Sequence, residues 1–487
     1  MEAAPGVPHS KKRKLEETAS SSPPEPPPVL ADALHSEPTS HGQEPYPGAG
    51  EGGDGIDRIS RLPEAVLGEI TSLLPTRDAL RTQTLASRWR GLWLSSPLNL
   101  DHSSLPADDE VQAGLITRIL AAHPGPARRF SVRPSDLQDR LAVVAAWLQS
   151  PALYNLQELE FCDRRVSPRW WDRKPSLPAS TFRFSATLRV LTICQCSILD
   201  STVETFHLPQ LKQLSLVCVK ISDGSLHGMI DGCPVLESLL LEESHGFSSV
   251  RINSRTLISI GISSEEVIIE DAPMLKRLLQ LEPVGAQRLS VVSAPKLETL
   301  GLTGLGYISK LVFGNTVIQN LSAASCVTAL CSVKILAINF DDLCLDLVIN
   351  LMGCFPCLEK LYIMSSMSGN RNFWRRKHRN LIKGLDIRLK TVVLNGYRGI
   401  NSQINFATFF VLNAKMLELM RFEGSDSDKD WFISEQRRVL QLEKRASRGA
   451  QFCFATSHGC RHYFAHIKNV HDLSITNPFE RTSCCRT

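Results

Sequence analysis

Four groups of residues in this chain have types and spacings that could do chemistry. Cys354 and Cys357 flank Phe355 and Pro356, the spacing at which two thiolates can hold a metal ion or exchange a disulfide. A zinc site needs a second pair at similar spacing, and none lies near, so a structural position is the expectation. His458, Cys460, His462 and His466 crowd together and could ligate a metal; ordinary surface residues are the simpler expectation. The run Trp374-Arg375-Arg376-Lys377-His378-Arg379 could meet nucleic-acid phosphates. A formal net charge of only +4 over 487 residues favours a solvated loop instead. Lys11, Lys12, Arg13 and Lys14 form a compact cation cluster of the kind that fits the acidic groove of a nuclear-import receptor. No phosphate-cradling glycine loop, nucleophile elbow or spaced set of metal-binding histidines occurs, and no cofactor is implied. These absences count against an enzyme.

The elements around these groups are more informative. Residues 1–54 are rich in Pro, Ser, Glu and Gly and poor in large apolar side chains. Such a segment cannot offset the entropy of ordering, so a disordered tail is expected. No apolar run approaches the ~20 residues that span a bilayer. The N-terminal residues also lack a secretory apolar stretch. The 14 cysteines are scattered, and Cys194, Cys196, Cys218 and Cys331 lie within apolar runs. They read as small buried hydrophobes of a reducing nuclear or cytoplasmic compartment, where disulfides are not expected.

From residue 155 the chain repeats a leucine motif, L-x-x-L-x-L. Copies stand at Leu156, Leu159, Phe161; Leu188, Leu191, Ile193; Leu211, Leu214, Leu216; Leu236, Leu239, Leu241; and Leu257, Ile260, Ile262. Leu275 and Leu278 follow, then Leu297, Leu300, Leu302; Val333, Leu336, Ile338; and Leu358, Leu361, Ile363. Most steps fall in the range of about 20–29 residues of leucine-rich repeats. One repeat cannot bury its apolar face, whereas a stack makes a continuous core. Prolines two residues before Leu236, Leu275, Leu297 and Leu358 mark the turn into each strand. The 18-residue step from Leu257 to Leu275 is short, and residues 305–331 fit no single repeat. The expected architecture is therefore an α/β chain with an irregular leucine-rich-repeat solenoid.

Ahead of the repeats, residues 57–101 predict three short helices. Pro63 suits a first helical position and Glu64 the first turn. Val66, Leu67, Ile70, Leu73 and Leu74 recur at helical steps and predict one apolar face. Pro75 stops this helix, and Thr76 suits an N-cap. Leu85, Trp89, Leu92 and Trp93 predict a third helix. So small a set of helices makes a poor core alone. Either it caps the larger domain, or part of its apolar surface awaits a partner.

The residues Leu62-Pro63-Glu64, Leu74-Pro75-Thr76-Arg77-Asp78-Ala79 and Ser87-Arg88-Trp89-Arg90-Gly91-Leu92-Trp93 resemble the F-box of plant F-box proteins in order and spacing. Ala86-Ser87-Arg88 departs from the two basic residues common before the first tryptophan. Residues 387–399 and 413–422 resemble the FBD domain that follows the repeats in many of those proteins. They keep the repeat phase at Leu389, Val392, Leu394 and at Leu417, Met420, Phe422, with a helix expected over 404–412 between them. A charged helix is expected over 436–450, with order doubtful beyond.

The resemblance implies a substrate-recognition subunit of a Skp–cullin–F-box ubiquitin ligase. The F-box would bind a Skp adaptor, and through it a cullin, while the solenoid selects a protein target. It implies adaptor-facing roles for Leu62, Pro63, Ile70, Leu73, Leu74 and Leu85, with Trp89 and Trp93 supporting or joining the contact. The implied division is a tail (1–54), F-box (55–101), helical linker (102–154), repeats (155–357), FBD-like region (358–430) and C-terminal helix and tail (431–487). The alternative is a nuclear scaffold or nucleic-acid-binding repeat protein without a ligase role.

Overall fold

Several repeats open with the same local device. In the computed structural model, the N–H of Leu236 closes on the carbonyl of Cys233, Leu275 on Ala272, Leu297 on Ala294 and Leu358 on Phe355, each at 3.1 Å. The intervening proline takes the second position of a four-residue turn, where its fixed φ suits the bend. The first leucine is thus buried before the strand starts. The fourth and sixth follow it inward because side chains alternate along a strand.

The structure describes residues 61–84, 87–89, 91–162, 174–203, 206–281, 288–305, 310–319, 322–324, 330–340, 343–365, 386–424, 429–456 and 467–480, with the single positions 59 and 372. In chain order the first strands are β1 (Leu98–Asp101), β2 (Ala127–Val132), β3 (Glu158–Phe161), β4 (Val190–Cys194), β5 (Gln213–Val217), β6 (Ser238–Glu242) and β7 (Val250–Asn253). Next come β8 (Ser259–Ile262), β9 (Glu266–Asp271), β10 (Arg277–Gln280), β11 (Arg288–Val291), β12 (Thr299–Leu305), β13 (Lys310–Phe313) and β14 (Thr316–Gln319). The last are β15 (Ser322–Ala324), β16 (Ile335–Phe340), β17 (Lys360–Ser365), β18 (Thr391–Asn395), β19 (Leu419–Gly424) and β20 (Gln451–Thr456).

Among the described residues, β1-β2-β3-β4-β5-β6-β8-β10-β12-β16-β17-β18-β19-β20 form one sheet with every neighbouring pair parallel. Leu159, Leu191, Leu214, Leu239, Ile260, Leu278, Leu300, Leu336, Leu361, Val392 and Met420 stand in one register across it. All are buried. The phase at Leu389, Val392, Leu394 and at Leu417, Met420, Phe422 is buried as expected, and a helix spans Asn401–Asn413 between the two strands. The sheet starts earlier than the repeat motif, at Leu98.

A second sheet, ordered β15-β14-β13-β11-β9-β7, was not anticipated. Its parallel strands β7, β9, β11 and β13 alternate in sequence with strands of the first sheet and bury Val250, Ile252, Val267, Ile269, Leu289, Val291, Leu311 and Phe313. The short 18-residue step has its cause here: a strand makes the return where a helix, such as Asp223–Asp231 two repeats earlier, makes it elsewhere. The stretch that fits no repeat contains the antiparallel strands β13, β14 and β15.

The C-terminal part differs most from expectation. The helix there spans Asp430–Val439 rather than 436–450, and Gln441, at φ 55°, turns the chain out of it. Residues 451–456, beyond the expected order, form β20 and pair with β19. Residues 467–480 then lie against the face of the large sheet opposite the leucine rows. Thr192, Ser215, Leu240, Gly261, Leu279, Gly301, Ala337 and Tyr362 form the facing register. Ile467, Val470, Leu473 and Phe479 bury themselves against Leu240, Leu279, Leu281, Ala337 and Tyr362. Arg277 Nε donates to the Leu473 carbonyl at 2.7 Å, and Asn477 Nδ2 donates to the Tyr362 hydroxyl at 2.7 Å. Gly261 leaves the space Leu473 occupies, since a Cβ there would stand 2.9 Å from Leu473 Cδ2. This segment is a strap laid across the sheet.

The cysteines also require correction. Cys162, just beyond the end of β3, and Cys194, at the end of β4, have Cα atoms 4.8 Å apart and form a disulfide, against the expectation of reduced thiols. Cys331 is exposed rather than buried, whereas Cys196 and Cys233 are buried and burial pushes each thiol up to about 12. Among the described residues no helix is long and apolar enough to cross a membrane.

Two outcomes follow. Leu473→Ala removes buried apolar volume from the strap and should destabilise its docked form by about 2–4 kcal/mol; faster amide exchange at Leu240 and Leu279 in the variant measures it. At pH 8, iodoacetamide should alkylate exposed Cys331 and Cys453 well before Cys196 and Cys233, whose thiolates are scarce at that pH; peptide mass mapping over time reads the order.

Candidate functional site

The helix α1 (Glu64–Leu73) has its polarity reversed. Its inward positions are Leu67, Gly68, Thr71 and Ser72, mostly small or polar. Its outward positions include Val66, Ile70 and Leu73, exposed by 42%, 36% and 60%. These three fall at i, i+4 and i+7, neighbours along one side of a helix. The single apolar face expected from periodicity is therefore two faces: Leu67 enters the core, and larger side chains point to solvent.

The inner face explains how the helix holds its place without those side chains. Leu67 packs with Trp89 and Leu92, and Leu62 lies half-buried against them. Gly68 permits close approach, for a Cβ there would stand 3.2 Å from Ser96 Oγ. The Thr71 hydroxyl donates to the Leu67 carbonyl at 2.8 Å, satisfying a buried polar group within the helix. Pro63 is the N-cap rather than the first helical residue, and its carbonyl accepts from the N–H of both Val66 and Leu67 at 3.0 Å.

The second helix, α2 (Thr76–Arg81), is capped by Pro75, not Thr76. Thr76 has a different task. Its buried hydroxyl donates to the Asn99 carbonyl at 2.8 Å and accepts from the Asp101 N–H at 3.0 Å, while Asn99 Nδ2 donates to the Leu74 carbonyl at 2.8 Å. These bonds fasten the turn between the helices to strand β1.

The expected third helix is replaced by 3-10 turns at Thr82–Thr84 and Ser87–Trp89 and a short helix, α3 (Leu92–Ser95). The Thr82 and Thr84 hydroxyls bond back to the Ala79 and Arg81 carbonyls, and Gly91 stands in mid-segment. Both features compete with a continuous helix. Trp89 and Trp93 are buried supports rather than surface groups. The Trp93 ring meets His123 edge-on at 5.0 Å. His123 Nδ1 accepts from the Gly125 N–H at 3.0 Å, so Nε2 carries the proton and donates to the Trp93 carbonyl at 3.1 Å. Burial holds this imidazole below its ordinary value and so keeps it neutral.

Of the residues marked by the resemblance, Pro63, Ile70 and Leu73 are exposed on this surface and Leu62 and Leu74 are half-buried. Trp89 and Trp93 lie beneath, and Leu85 lies outside the described residues. Val66 belongs to the same stripe, and its spacing from Ile70 and Leu73 was the available signal. Of the other candidate groups, only the cysteine pair lies among the described residues. Cys354 ends the helix Leu345–Cys354 in the core and Cys357 is half-buried, as repeat positions. His458, Cys460, His462, His466, the run 374–379 and Lys11, Lys12, Arg13 and Lys14 lie outside the described residues. Among the described residues no group of three or more His, Cys, Asp or Glu could hold a metal ion.

Two family models match the chain. The LRR repeats of FBD-associated F-box protein At5g56370 match residues 144–363, and the FBD matches residues 377–422. Three relatives from Arabidopsis thaliana are similar. F-box/FBD/LRR-repeat protein At5g44950 is 30% identical over 233 residues, 46% of this chain and 52% of the relative. F-box/LRR-repeat protein 13 is 26% identical over 244 residues, 47% of this chain and 52% of the relative. FBD-associated F-box protein At5g44490 is 26% identical over 292 residues, 54% of this chain and 58% of the relative. The match thus covers little more than half the length of these relatives. The repeat rows, the FBD segment and these likenesses together make the chain similar to the plant F-box, leucine-rich-repeat and FBD proteins over residues 144–363 and 377–422.

Proposed function

We propose that this chain is the substrate-recognition subunit of a Skp–cullin–F-box ubiquitin ligase. The observation that carries the reading is the reversed helix α1, with Val66, Ile70 and Leu73 in water while Leu67 and the smaller Gly68, Thr71 and Ser72 face the core. A contiguous apolar stripe held outward on a pinned helix is suited to burial by another protein. The matched family models begin at residue 144, so support for the adaptor contact comes from this geometry and from the names of the relatives.

On this reading the chain is a non-catalytic adaptor. It holds a target lysine near a charged conjugating enzyme, turning an encounter into a step within one complex. The repeats select the target, and Lys11, Lys12, Arg13 and Lys14 direct a nuclear pool.

A pull-down with a Skp adaptor tests the contact. Ile70→Asp with Leu73→Asp places two carboxylates where apolar surface would be buried, and neither side chain belongs to the core. The wild-type chain should capture the adaptor and the double variant should lose at least about tenfold in affinity. Equal capture by both, at unchanged melting temperature, would refute the proposal.

A further inference from the structure

Part of the large sheet's outer face remains open, and its chemistry is unlike the part the strap covers. The strap fills the apolar stretch at Leu240, Leu279, Ala337 and Tyr362. Beside it lies a cleft of about 270 Å³, floored by strands β1 to β4 and walled by strap residues including Val470. Its floor carries Asp101, Glu158 and Glu160 around a single guanidinium, Arg129. Arg129 pairs with Glu160 at 2.5 Å and with Asp101 at 3.4 Å. Glu158 is half-buried and adds a third carboxylate to the field at that guanidinium. Thr192 also lines the cleft. It is 8% exposed, and its hydroxyl has no hydrogen-bond partner among the described residues.

We infer that this cleft is the part of the solenoid that receives the target, and that it takes an arginine or lysine side chain from an extended basic segment. Resting on the receptor reading above, the assignment narrows where on the repeats a target sits. Three carboxylates share one guanidinium, so the cleft holds excess negative charge in partly desolvated surroundings, where an opposite charge is attracted more strongly than in open water. An incoming guanidinium supplies N–H donors to the Glu158 carboxylate and the Thr192 hydroxyl, which have acceptor capacity to spare. The cleft's aliphatic lining is limited to Leu159, Val190 and Val470, while the strap's Leu473 and Phe479 fill the greasier part of the face.

The test uses the full chain and three acetylated, amidated hexapeptides that differ at one central residue: arginine, citrulline or norleucine. Ligand-observed NMR titration compares them. Citrulline keeps the shape of arginine and removes its charge. The arginine peptide should bind about tenfold more tightly than the citrulline peptide, in the range of a charge-assisted pair, and the difference should shrink with added salt. Glu158→Gln should weaken arginine-peptide binding by about fivefold and Thr192→Val by about threefold, with citrulline binding unchanged. Glu266→Gln, on the other sheet, should do nothing. Equal binding of the arginine and citrulline peptides, or undiminished binding by a folded Glu158→Gln chain, overturns the assignment. A chain that captures the Skp adaptor yet does not distinguish the peptides loses the cleft and keeps the receptor reading; failure of adaptor capture alone strikes the receptor reading and leaves the cleft.

Discussion

The parallel register of inward leucines is the constraint on which the rest depends. A single copy of the motif cannot bury its apolar face, and only its neighbours make it stable. Once Leu159, Leu191, Leu214 and Leu239 stand in one row, the strand spacing and the turn before each strand are fixed. What happens on the return side is free. Helix Asp223–Asp231 and strand β9 serve there equally, because each needs only to bury a few side chains against the same rows.

That division explains what could be read from the residues. The rows were legible because leucine at fixed intervals has one physical use in a stacked chain, and every first, fourth and sixth position named from the motif is buried. The second sheet was not legible. Val250 with Ile252, and Val267 with Ile269, alternate over so few residues that the pattern merges with the stronger rows beside it. The strap was hidden for another reason. Ile467, Val470, Leu473 and Phe479 recur at steps of three, three and six residues, which matches neither the leucine motif nor a strand's alternation, and they answer to the outer face of distant strands.

At the docking helix the residues showed which side chains matter but not which way they face. Periodicity groups Leu67 with Ile70 and Leu73, since all three are apolar and close in phase. Only Gly68, Thr71 and Ser72 on the inner side, with Ser96 packed against them, show that the helix leans inward on its smaller residues. Thr76 is a similar case. Its type suits an N-cap, yet its hydroxyl serves as a rivet to β1 because Asn99 and Asp101 lie within reach.

The strap has a consequence for how the chain comes into being. Repeat proteins ordinarily let each unit lean on its neighbours, so a growing end can settle as it is made. Here Arg277 and Tyr362 wait for Leu473 and Asn477, partners some 196 and 115 positions downstream. Throughout synthesis the oily patch at Leu240, Leu279 and Ala337 lacks its cover. The nascent chain therefore passes through a stage that is assembled in its leucine rows but still adhesive on its outer side, and it is the last stretch to be translated in this region that seals it.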